Sequence, residues 1–192
     1  MGKNVYQIRI KLKDTHPLIW RRIAVPDDYT FWDFHVAIQD AMGWQDYHLH
    51  EYRMKNESFR IGVPDMEFDE DPDLLAGWEV PISKYLKEKG DAIEYVYDFG
   101  DYWVHNILLE AIHPVEEGFQ YPKCIEGERN CPPEDCGGIL GYEYLLEVLA
   151  NPDHEEHDKM KAWLGGNFDP NYFNCMDVEF TDPKERLEQM FD

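Results

Sequence analysis

His48 and His50 stand two residues apart in His48-Leu49-His50-Glu51, inside a stretch, His48–Lys55, whose residue types suit a strand. On a strand that spacing sends both imidazoles to one face. Two same-face imidazoles are half of a metal site, because neutral ring nitrogens bind zinc and related divalent ions. Their plainer role is a pair of partly buried structural histidines bonded to backbone. A second polar group lies in Asp98-Phe99-Gly100-Asp101-Tyr102-Trp103-Val104-His105, where Asp98 and Asp101 flank a tight turn and a histidine follows. Carboxylates at a turn commonly accept bonds from their own backbone. His105 shares a strand face with Trp103, Ile107 and Leu109, which is where a core histidine would sit.

The third group is Cys124, Cys131 and then Pro132-Pro133-Glu134-Asp135-Cys136-Gly137-Gly138. Two prolines stiffen an extended backbone and two glycines open conformations closed to other residues, so side chains are held in fixed directions without regular structure. The cysteines are too widely spaced for the C-x₂-C pattern of a zinc knuckle. A rigid loop covering a sheet, with buried free thiols, accounts for them equally well. If the hairpin at 98–105 neighbours the 48–50 strand, His105 faces His48 or His50 across ~5 Å. The Pro-Pro loop could then close over that edge and add Glu134, Asp135 or a thiolate. The candidate ligands of a divalent metal, the one cofactor these residues could hold, are therefore His48, His50, His105, Asp98, Asp101, Cys124, Cys131, Glu134, Asp135 and Cys136.

Other motifs carry less. His154-Glu155-Glu156-His157 has its histidines three apart, not the four of a metalloprotease helix. It reads as the solvated acidic start of a helix. Asp98-Phe99-Gly100 has no Gly-rich loop, strand lysine or catalytic loop to make it a kinase motif. There is no phosphate loop, dinucleotide fingerprint or nucleophile elbow.

The elements that must position these groups follow from periodicity. Tyr6, Ile8, Ile10 and Leu12 alternate with Gln7, Arg9, Lys11 and Lys13, the pattern of a half-buried strand. Ile19–Val25 returns as its hairpin partner. Thr30 with Asp33 forms a capping box, and Phe31, Phe34, Ile38, Ala41 and Met42 fall on one helical face ended by Gly43, with Trp44 folding back. Residues 63–77 read as an acidic surface loop, Val80–Ser83 as a further sheet partner and Lys84–Lys89 as a short helical piece. Ile93–Asp98 and Tyr102–Ile112 form a second hairpin. Pro114–Gly138 reads as irregular, and helices are expected near 142–149, 153–164 and from Pro183 onward. The expected architecture is a single α+β domain over 1–192, an antiparallel sheet of hairpins with helices packed on one face and a helical C-terminal part.

Charge excludes one class of partner. The net charge is −22, with nine Lys/Arg against eight Asp/Glu in residues 1–60 and nine against thirty-two thereafter. Such a field repels phosphate backbones, so nucleic-acid binding is not expected. Arg9, Lys11, Lys13, Arg21 and Arg22 form the one basic strip, read as a solvated strand face. No apolar run approaches the ~18–20 residues of a membrane span. Residues 1–6 lack the apolar region of a secretory signal, and four cysteines are too few for a disulfide scaffold. The cytosol is the expected compartment.

Several segments together resemble the plasmid pRiA4b ORF-3-like family. They are Ile19-Trp20-Arg21-Arg22, Gly43-Trp44 with His48-Leu49-His50-Glu51, and Tyr97–Asp101 with Trp103 and His105. Cys124, Gly127, Arg129, Cys131–Gly138 with Gly141-Tyr142, then Trp163, Gly165 and Phe168-Asp169-Pro170 follow in order. Tyr52 stands where the family more often shows Phe. The resemblance implies an α+β domain of unknown function. Some members are labelled transposon resolvases, and one is fused to a repressor-type DNA-binding domain, but this chain shows no resolvase serine region and no separate helix-turn-helix. The favoured reading is a noncatalytic cytosolic binding module for an unknown protein or small molecule. The alternatives are a metal-dependent hydrolase using a His/carboxylate cluster and a DNA-associated factor of mobile elements.

Overall fold

The computed structural model describes residues 3–55, 57–64, 71–166 and 168–191. Eight strands form one sheet: β1 (Asn4–Leu12), β2 (Trp20–Pro26), β3 (His50–Met54), β4 (Arg60–Gly62), β5 (Leu74–Ala76), β6 (Ala92–Tyr97), β7 (Trp103–Pro114) and β8 (Lys123–Glu128). Their spatial order is β5-β4-β3-β6-β7-β1-β2-β8. Every pairing is antiparallel except β4 with β5, which is parallel. The helices are α1 (Phe31–Met42), α2 (Gly138–Ala150), α3 (His157–Trp163) and α4 (Pro183–Phe191). The chain is thus α+β, with a sheet that is antiparallel apart from one edge pair.

The period-two pattern of β1 holds: Tyr6, Ile8, Ile10 and Leu12 are buried, and α1 lies over that apolar face with Phe31, Phe34, Ile38 and Ala41 in the same core. Both ends of α1 are built as expected. Asp33 N–H donates to Thr30 Oγ1 at 3.1 Å while Thr30 N–H donates to Asp33 Oδ2 at 2.8 Å. Gly43 adopts φ 94°, a left-handed stop a side chain would resist.

Five expectations need correcting. Pro114–Gly138 is not wholly irregular, because Lys123–Glu128 pairs with β2 and extends the sheet. Within 63–77, Leu74–Ala76 forms β5, while 65–70 lie outside the described residues. Val80–Ser83 makes a single bridge, Thr30 to Pro81, and the expected helical piece at 84–89 is a 3₁₀ turn at Ile82–Lys84. Arg21 is also not part of a surface strip. It is buried, donating through Nε to Ala41 O at 2.8 Å and through Nη1 to Trp20 O and Glu128 O, with its guanidinium 3.8 Å from the Phe173 ring centre. Adjacent strand residues face opposite ways, so Arg21 and Arg22 could not both be outside.

Candidate metal centre

Three segments meet beyond the ends of β3, β6 and β7. The first leaves α1 at Gly43 and is pinned by Trp44, whose Nε1–H donates to Pro132 O at 2.9 Å while its ring packs on Tyr97, centroids 4.9 Å apart. The second is the β6–β7 turn, where Asp98 takes φ 58° and its Oδ1 accepts from Gly100 N–H at 2.8 Å. The third is the 131–138 loop, where Asp135 takes φ 55°. Short polar side chains tolerate this left-handed region better than others, which suits Asp to both turns.

Hydrogen bonds lock the three together. Tyr97 Oη accepts from Tyr47 N–H at 3.0 Å and donates to Glu134 Oε1 at 3.0 Å. Gln45 N–H donates to the same Glu134 oxygen at 2.8 Å. Gly137 N–H donates to Asp101 Oδ2 at 3.0 Å. A Cβ on Gly138 would stand 2.6 Å from Asp101 O, so only glycine lets the loop approach the turn this closely.

This places His48 Nε2 at 3.0 Å from Asp135 Oδ1 and 3.5 Å from Asp98 Oδ2. One ligand atom from each of the three residues lies within 4.8 Å of the others. Donor atoms sharing a divalent ion at ~2.0–2.2 Å are separated by roughly 3–4 Å, and both His48 distances fall in that range. His48 Nε2 is itself buried and has no acceptor aligned for a hydrogen bond, although two carboxylates stand close. An imidazole nitrogen so placed suits coordination better than a hydrogen bond.

The other expected ligands lie elsewhere. His48 is outside the regular strand, which begins at His50, so the two rings diverge. His50 is buried and stacks on His35, centroids 3.5 Å apart and planes 8° from parallel. Burial, with His35 adding repulsion, pushes its pKa well below the usual histidine value. His105 does not face either histidine. β6 intervenes, Tyr95 is its cross-strand partner, and its Nδ1 lies 3.1 Å from Trp103 O. Burial takes its pKa down to about 3. Asp101 is bonded to Gly137, and Glu134, its pKa raised by burial, serves Tyr97 and Gln45. The three cysteines are free thiols with burial holding their pKa values high, Cys124 about 11, Cys136 about 12 and Cys131 also well up. Among the described residues, none of these thiols joins the converging group of ligand atoms.

Reading the sequence alone misses Asp46, His35, Tyr95 and Arg186. Asp46 at φ 60° accepts from His35 Nε2 at 2.8 Å and borders a cleft of about 460 Å³ beside His48, with Trp32, His50 and Arg186 on its walls. Burial pushes its pKa up to about 6. The available signal was His35 and Gln39, polar residues four apart beside a core-facing stripe.

Comparison with known proteins agrees with the residues quoted above. The sequence pattern of plasmid pRiA4b ORF-3-like proteins matches residues 4–177. A relative described as uncharacterized protein y4hQ, from Sinorhizobium fredii, is 35% identical over 168 residues, 87% of this chain and 84% of its own length. A crystal structure of a protein of unknown function, MM3350 from Methanosarcina mazei Go1, matches with TM-score 0.84 at 44% identity, covering 94% of this chain and 100% of that one. The chain belongs to the plasmid pRiA4b ORF-3-like family.

Proposed function

We propose that the chain is a noncatalytic binding module of the cytosol whose bound species is a divalent cation held by His48, Asp98 and Asp135. The observation that carries this is the meeting of one imidazole and two carboxylates, from three segments distant in sequence, within 4.8 Å. An imidazole with two carboxylates suits zinc or manganese. The hydrolytic alternative needs a base near the ion, and the carboxylates beside the site are occupied, Glu134 by Tyr97 and the Gln45 amide and Asp46 by His35. The DNA alternative needs free cations. Arg9 and Arg22 pair with Glu110, Arg22 also with Glu126, and Lys13 with Glu94. Four unpaired thiols accord with a reducing compartment.

Titrating zinc or manganese into metal-stripped protein, followed by melting temperature, tests the reading. A ligand at a hundred times its Kd adds about 2.7 kcal/mol, a shift of several degrees for a chain of this size. The wild type and His50→Ala should both respond, and His48→Ala should not. An unresponsive wild type, or an equal response from His48→Ala, would remove the reading.

A further inference from the structure

On the far side of Asp135 lies a second, separate feature. A groove of about 240 Å³ runs between α2 and α3, floored by Leu145 and walled by Cys136, Met160 and Trp163. On α2, Leu140, Glu143, Tyr144 and Glu147 occupy one exposed face at helical spacing. Across the groove, Met160 and Trp163 sit three apart on α3, so they share its near face. Trp163 is 49% exposed and Tyr144 40%, both large side chains on the groove left in water. Contiguous apolar surface rimmed by polar groups marks an interaction site.

The rim has one sign of charge. Residues 134–164 contain eight Asp/Glu against two Lys and no Arg. Lys159, the one cation on the groove, is spent on Glu156 at 3.2 Å, and Glu156 also takes the Tyr144 hydroxyl. Asp135 lines the trough, and Glu147 and Glu155 stand close enough to the lining residue Tyr144 to act on its hydroxyl, so carboxylates border an apolar trough. A complementary occupant offers apolar side chains on one face and cations beside them, which is the composition of a basic amphipathic helix.

We infer that the α2–α3 groove docks a basic amphipathic helix of a partner protein, whose large apolar side chains enter between Leu145, Met160 and Trp163 while its Lys and Arg meet the acidic rim. The half-exposed indole of Trp163 is its anchor, since aromatic side chains at the centre of an interface carry most of the binding. The inference does not depend on the cation site: Asp135 borders both, but the contacts invoked here are those of Leu145, Met160 and Trp163.

Fluorescence polarisation tests it with three labelled ~18-residue probes. They are a Leu/Lys amphipathic helix, its Leu/Glu counterpart and a Ser/Lys peptide of the same charge as the first. The Leu/Lys peptide should bind, more weakly as salt rises, and lose at least about tenfold in affinity with Trp163→Ala and with Tyr144→Ser. The other two peptides should not bind. Tyr144→Ser keeps the test decisive if Trp163→Ala lowers the melting temperature, because Tyr144 is an exposed groove residue whose hydroxyl bonds only at the surface, to Glu156. Equal binding of the Ser/Lys peptide, or undiminished binding to the folded variants, would overturn the proposal in favour of general charge attraction.

Discussion

His48 stands at the crossing of three loops, its Nε2 3.0 and 3.5 Å from two carboxylates. His50, two residues on and 3% exposed, lies under α1 against a second imidazole. In the inner group Gln39, Tyr95, His35 and Asp46 form a hydrogen-bonded chain, while His50 Nε2, like His48 Nε2, is buried without a hydrogen-bond partner. Gln39 Nε2–H donates to Tyr95 Oη at 2.9 Å, which leaves the tyrosine hydrogen for His35 Nδ1 at 2.9 Å. His35 then carries its proton on Nε2 and gives it to Asp46 at 2.8 Å. Two flat imidazoles 3.5 Å apart are compatible only when uncharged, and burial depresses the pKa of both. The inner histidines are therefore packed in the core against each other, whereas the outer one faces two carboxylates. Residue type and spacing are the same in both; what separates them is that β3 starts at His50, so only His50 is carried under the helix.

The largest expected effect sharpens this contrast through pH. The unfolded chain protonates His35, His50 and His105 below the ordinary value of 6.5, and the folded chain does not. The unfolded state then binds more protons, so stability falls as pH drops through 6.5 and keeps falling toward the depressed folded values. Asp46 works oppositely, since a carboxyl raised to about 6 takes its proton in the folded state first and favours folding below that pH. Three histidines outweigh one carboxyl. Chemical denaturation should show a loss on the order of 3 kcal/mol between pH 7.5 and 5.5. A flat profile would mean the inner rings can be charged in place, and the contrast with His48 would fail.

The next effect separates the two histidines directly. His50→Ala opens a cavity beside His35 and Tyr52 and should cost about 2–4 kcal/mol in metal-free protein. His48→Ala, at a partly solvated rim, should cost under about 1 kcal/mol. Comparable losses from both would place His48 among the structural residues.

How far the sequence reveals these regions depends on how local the determinants are. The Thr30–Asp33 capping box, the stop at Gly43 and the alternation of β1 involve neighbours within a few residues, and all appear as read. His48, Asp98 and Asp135 were each recognisable as ligand types, but their meeting depends on the order β3-β6-β7 and on where a loop more than thirty residues beyond Asp98 closes. The same order decides between the two readings of His105: the hairpin meets the 48–50 strand through β6, Tyr95 stands between, and His105 is a core histidine. Asp46 and Arg186 were illegible for a related reason. Arg186 Nη2 reaches Asp40 at 2.9 Å and its Nη1 stands 3.7 Å from Asp46, pairings across some 140 residues that no periodicity encodes.

The smallest stability effect discriminates most sharply at the outer site. Asp135 is exposed, its side chain retaining 67% of its accessible surface, and its pairing with His48 is of the kind worth little in water. Asp135→Asn keeps the shape and the left-handed backbone at that position, because Asn tolerates positive φ as well as Asp does. In metal-free protein the change should lie within about 0.5 kcal/mol of zero. If the rim is a cation site, the same substitution removes one of two anionic ligands, and zinc or manganese affinity should fall by at least about tenfold, in line with losses on disturbing a metal's ligand shell. Isothermal titration calorimetry on both proteins, beside their denaturation curves, gives the two numbers together. A stability loss without an affinity loss would make Asp135 part of the scaffold, and the outer cluster would join the inner one as structure.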